Sequence, residues 1–163
     1  MEQEKSLIEV VDSAIREDMG TYDAEEAQSV SRKPFRITDF DAPYEKEMAV
    51  FTHAKKLSEY IFVITQKSPV KLRWSIVSRL INCSVDVIEN LYRANYEKGE
   101  ARLDWQKRAM VSLNLLDFYA ETAKTKQAIN FRQMTLIGQQ IAEVKKLLRG
   151  WVKSTRQKDG IKD

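Results

Sequence analysis

The chain has 163 residues, 43% of them hydrophobic and 31% charged, with 5 Gly, 3 Pro and a single Cys. Such a composition suits one packed domain of long, charged helices and argues against an all-β fold, which needs more turn residues. No run of about 18 uncharged apolar residues offers a membrane span; the acidic N-terminus lacks the pattern of a secretory signal, and Cys83 has no intramolecular disulfide partner, so a cytoplasmic, reducing location is expected.

The net charge of +3 divides unevenly. Residues 1–50 carry 13 Asp/Glu against 6 Lys/Arg, and residues 51–163 carry 11 against 21. An acidic head precedes a basic body.

Residues 3–18 predict a short amphipathic helix, with Leu7, Val10, Val11 and Ala14 on one face and Gly20 as its stop. From Thr21 to Pro43 no period holds. Pro34, Pro43 and the acidic run 23–26 predict a linker, with Phe35, Ile37 and Phe40 docking on the body. Residues 1–43 therefore read as an acidic N-terminal arm.

Four long amphipathic helices are expected after it. The first runs from Tyr44 to Gln66, with Val50, Ala54, Leu57, Ile61 and Ile64 at 4-3-4-3 spacing, and breaks before Pro69. The second runs from Lys71 to Lys98 on Ile76, Leu80, Cys83, Val87 and Leu91, widened by Val77, Ile81, Ile88 and Tyr92, and stops at Gly99. The third spans Ala101 to Lys126 on Ala109, Leu113, Leu116, Ala120 and Ala123. The fourth starts at Asn130 or Phe131, with Asn130 as N-cap, and carries the cleanest heptad: Met134, Ile137, Ile141, Val144, Leu148 and Trp151. After Trp151 the polar sequence is expected to fray. The predicted fold is all-α: an antiparallel up-down four-helix bundle over 44–156, an acidic N-terminal extension and a basic tail over 157–163. Helices of roughly 22–28 residues, about 33–42 Å at 1.5 Å per residue, joined by short connections, must run antiparallel and share their apolar stripes.

Catalytic and metal chemistry find little support. His53 is the sole histidine, and Cys83 lies on an apolar stripe between Leu80 and Val87, as a structural thiol does. Zinc needs three or four convergent ligands. Glu59, Glu89, Glu121 and Glu143 fall one per long helix, but off the apolar stripes and without a Glu-x-x-His step, so solvated faces are expected rather than a di-iron centre. No phosphate-binding Gly-rich loop or nucleophile elbow occurs. A non-enzymatic protein with no cofactor is expected.

The positive signal is basic. Between 132 and 162, Arg132, Lys145, Lys146, Arg149, Lys153, Arg156, Lys158 and Lys162 face only Glu143 and Asp159. Lys145, Arg149, Lys153 and Arg156 step by 4-4-3 and share one side of the fourth helix. Such a row offers counter-charges to phosphates. Lys71 and Arg73 on the second helix, and Lys107 and Arg108 on the third, are secondary candidates. The bland reading is that these are ordinary solvating charges. For Trp74, Trp105 and Trp151, core or interface packing is expected rather than base stacking.

The segments KSPVKLRWSIVSRLINCSVDVIENLYRAN (67–95), RLDWQKRAMVSLNLLDFYAETAK (102–124) and IGQQIAEVKKLLRGWVKS (137–154) carry a further signal. Lys67-Ser68-Pro69, Arg79-Leu80, the run from Arg108 to Leu116 and Leu147-Leu148-Arg149-Gly150-Trp151-Val152-Lys153-Ser154 are its points of likeness. Over about residues 45–155 the chain resembles the four-helix-bundle family of two groups. One is the accessory variability protein of bacterial diversity-generating retroelements; the other is the proteins encoded in intervening sequences of 23S ribosomal RNA genes. The resemblance implies a homo-oligomer, a pentamer in the family, that binds RNA or DNA through basic surfaces and associates with the element's reverse transcriptase. Some 44 residues precede the matched part, and they could cover the basic surface. The alternative is a protein–protein scaffold in which the charges only keep the bundle soluble and the arm, residues 1–43, is the recognition element.

Overall fold

The computed structural model describes residues 6–19 and 48–161, and every regular element in them is helical. Helix α1 is Leu7–Met19 and α2 is Ala49–Thr65. Helix α3 is one rod over 70–96, built from Val70–Leu72, a π turn Arg73–Val77, and Ser78–Tyr96. Helix α4 is Gly99–Thr125 and α5 is Phe131–Asp159. The linker expected at 21–43 with Phe35, Ile37 and Phe40, the Gly20 stop, residues 44–47 and Lys162 lie outside the described residues. Among the described residues no helix is long and apolar enough to cross a membrane.

Each long helix packs on its neighbours in the chain, and α5 returns to α2. Named contacts fix which ends meet. Phe51 at the start of α2 lies 4.9 Å from Tyr92 near the end of α3 and 6.0 Å from Trp151 near the end of α5. At the same end the Gly99 N–H, opening α4, donates to Asp159 Oδ2 at 3.1 Å. At the opposite end Ser68 Oγ, after α2, donates to the Ala128 carbonyl between α4 and α5 at 2.8 Å.

The expected stripes are the core. Val50, Ala54, Leu57, Ile61, Leu80, Cys83, Val87, Leu91, Ala109, Leu113, Leu116, Ile137, Ile141, Val144 and Leu148 are all buried, as their spacing requires. Helix α1 adds buried Val11, Ala14 and Ile15 against α2. There Lys56 Nζ donates to Asp12 Oδ1 at 2.8 Å, a bond that raises the lysine's pKa.

Three details depart from the expected pattern. The π turn, in which the Ser78 N–H reaches the Arg73 carbonyl, inserts a residue into the helical register. The core face therefore passes to Val77 while Ile76 is only half-buried and Trp74 is 92% exposed. Gly99 is not the stop of α3, which ends at Tyr96; with φ +58 it is the first residue of α4. Finally, α5 continues past Trp151 to Asp159. Thr155 is buried, and Gly160, at φ 62, closes the helix with its own N–H and that of Ile161 on the Arg156 carbonyl. Fraying is overridden by burial and by a left-handed cap.

Candidate nucleic-acid interface

The basic residues singled out in the sequence divide into separate environments. Arg132, in the first turn of α5, donates to Glu17 Oε2 of α1 at 3.0 Å. Lys71 is exposed in the short first turn of α3, and Arg73 follows it on the π turn, its Nη2 reaching the Gln66 carbonyl at 3.4 Å. Lys107 and Arg108 are neighbours in the sequence but point to opposite flanks of α4. Arg108 stacks on Trp105 at 4.6 Å, with Arg93 on the same indole at 4.8 Å. Arg93 is itself held by Glu89, its Nε donating at 2.9 Å. The tryptophan and the two guanidiniums it meets form a cation–π unit.

On α5 the row also splits. Lys146 pairs with Glu143 at 3.5 Å on the far flank. Lys145 faces α4, with its side chain only 17% exposed and its ammonium 3.9 Å from Asp117. The next three members, Arg149, Lys153 and Arg156, meet Lys107 across a groove of 630 Å³ between α4 and α5. Among the described residues no carboxylate lines that groove, whose other walls are Gln106, Met110, Val152, Gln157 and Ile161. Asp104 lies 3.7 Å from Lys107 on the exposed side, a pair too solvated to hold the lysine away from another anion. Among the described residues neither Arg149 nor Lys153 has a carboxylate partner.

The steps of 4 and 3 along α5 are the reason three of these cations share a side. Lys107 joins them because the start of α4 and the end of α5 lie together, tied by the Gly99–Asp159 bond and by Gln106 Nε2 donating to Thr155 Oγ1 at 3.1 Å. Compared with known protein-family models and with curated proteins, the chain matches none. Its chemistry is therefore read from the groove itself: four cations on an apolar floor, open to one side.

The other sequence candidates have plain surroundings. Among the described residues no three His, Cys, Asp or Glu side chains group as a metal site would require. Cys83 is buried, its Sγ 3.1 Å from the Ser112 carbonyl, and burial pushes the thiol up to about 11. Sequence reasoning missed Gln106. Its place on the α4 stripe, three residues before Ala109, is the available signal, which the polarity of a glutamine masks.

Proposed function

We propose that this protein is a non-enzymatic nucleic-acid-binding accessory protein, and that it holds phosphate backbone in the groove between α4 and α5. The observation that carries the reading is the convergence of Lys107, Arg149, Lys153 and Arg156, from two helices, on one groove that has no lining carboxylate among the described residues. Contacts of this kind position a backbone without reading sequence. We read the long helices as an antiparallel up-down bundle with α1 and the acidic arm appended. The alternation of chain ends in the Phe51, Gly99 and Ser68 contacts supports this, as do the short connections.

The resemblance to the accessory variability and intervening-sequence proteins extends the proposal. It makes the chain a cytoplasmic component of a bacterial mobile element, a homo-oligomer of pentameric type and a partner of a reverse transcriptase. Self-association is supported by apolar surface left uncovered. Val111, Leu115 and Phe118, one turn apart on α4, are exposed, and so are Phe62, Val70 and Trp74 around the start of α3. The same surface also favours the second reading, a protein–protein scaffold.

Affinity for single-stranded RNA and DNA across a salt series decides between them. Four cations on a single strand predict roughly a fifty-fold loss between about 50 and 200 mM salt. Absence of binding at low salt would leave the scaffold reading ahead.

A further inference from the structure

Phosphate binding uses the rim of the α4–α5 groove and leaves its floor unexplained. That floor is apolar, formed by Met110, Val152 and Ile161, and Gln106 completes it. Gln106 is fully buried, and its two polar atoms differ. Thr155 Oγ1 donates its one hydrogen to the Trp151 carbonyl at 3.0 Å, so toward Gln106 it acts only as an acceptor. Gln106 presents its Nε2 to that oxygen, at 3.1 Å. The carbonyl oxygen, Oε1, is left without a hydrogen-bond partner among the described residues. Native proteins leave few buried acceptors unsatisfied, because each costs the full desolvation of the group. Gln140 Oε1 is also unpartnered, but Gln140 does not border this groove.

The groove thus asks for a ligand with three properties: an anionic end for the cations, a flat apolar body for the floor, and an N–H donor on the body's edge. Inorganic phosphate has only the first. A fatty acid has no donor. A nucleotide has all three, and a volume of 630 Å³ falls among ordinary small-ligand sites, about 300–1,000 Å³.

Building on the phosphate-binding reading above, we infer that the groove takes one unpaired nucleotide. Its phosphate lies on Arg149, Lys153, Arg156 and Lys107. Its base lies over Met110 and Val152, and the base's exocyclic amine donates to Gln106 Oε1. The oxygen is closed to water in the free protein, so the base must displace a floor side chain. Met110, which lines the same groove, is unbranched with three rotatable bonds and is the side chain we take to move. The nucleotide is either free or one unit of a strand, since both present the same phosphate and base.

The test compares full-length protein binding to two labelled strands of about 12 nucleotides, a length on the scale of single-strand sites. One contains adenine; the other has purine in its place, which lacks only the amine. The adenine strand binds about tenfold tighter, and Gln106→Leu lowers it to the level of the purine strand without changing the salt slope. Because the comparison is made on the ligand, it stands even where the variant fails to fold. Equal affinity of the two strands in the wild-type protein overturns the inference and leaves backbone binding intact. No binding of either strand at low salt overturns the backbone reading and this inference with it. Adenosine monophosphate displacing the strand at matched concentration identifies a free nucleotide as the ligand; a retained adenine preference without such displacement identifies the strand.

Discussion

A single cation changes meaning with its flank. Arg149 and Lys153 border the groove, whereas Lys145, one turn earlier on the same side, is largely covered and turned to Asp117. The double variant Arg149→Ala/Lys153→Ala is expected to weaken single-strand binding about tenfold at low salt and to reduce the salt slope by about 1.4, which anisotropy titrations measure. Lys146→Ala, on the far flank beside Glu143, leaves both unchanged within about twofold. Cys83 belongs to the same scale. Its thiol, buried and raised to about 11, carries little thiolate at pH 8. Its reaction with a disulfide reagent is expected to be at least about a hundredfold slower in the native protein than in denaturant. Equal rates would mean that the thiol is open to solvent.

Helices are held by devices at their ends as much as by their faces. Asn130 and Gln133 form a reciprocal capping box at the start of α5, each side chain accepting from the other's backbone N–H at 2.9 Å. Asn130→Ala is expected to cost about 1 kcal/mol in denaturant unfolding. At the end of α4, Gln127 takes φ 61 and Ala128 N–H reaches back to the Ala123 carbonyl at 2.8 Å, a left-handed cap without glycine. Gln127→Gly is expected to stabilise the protein by about 0.5 kcal/mol, the relief of a side chain in the left-handed region exceeding the added entropy of the unfolded chain. Helix α1 is not an ornament of the arm. Ile15 is buried in the common core, so Ile15→Ala is expected to cost about 2 kcal/mol or more. Any truncation meant to isolate the acidic arm's effect on binding must spare residues 7–19.

For the molecule as a whole, burial sets the response to pH. Burial raises the Tyr60 hydroxyl well above its usual range, with Asp18 adding to the effect and Arg132 opposing it; burial likewise raises Cys83 to about 11. Both groups stay protonated in the fold at a pH where the unfolded chain has ionised them. The unfolded state then binds fewer protons, so stability is complete below about pH 8.5 and falls as the pH rises through the ordinary thiol and phenol range toward the raised values. Denaturant midpoints at pH 8 and about pH 10.5 should show this loss, and Cys83→Ala should remove part of it.

The sequence alone determined the helical class and nearly all of the core, because helical periodicity is a local property: residues 3 and 4 apart share a face whatever surrounds them. Leu80, Leu113, Ile137 and Leu148 were legible for that reason, as was the Asn130 cap. Only the tertiary structure decided which cations act together. Lys107 and Arg108 are adjacent in the chain, yet one faces Arg149 and Lys153 and the other stacks on Trp105. That choice depends on which helix stands beside each flank, which no spacing within one helix records. The π turn that contains exposed Trp74 and the unpartnered oxygen of Gln106 are likewise not written in any helical period. The groove joins residues far apart in the chain, Gln106 and Lys107 with Arg149 to Arg156, which is why the fold could be read early and the groove could not.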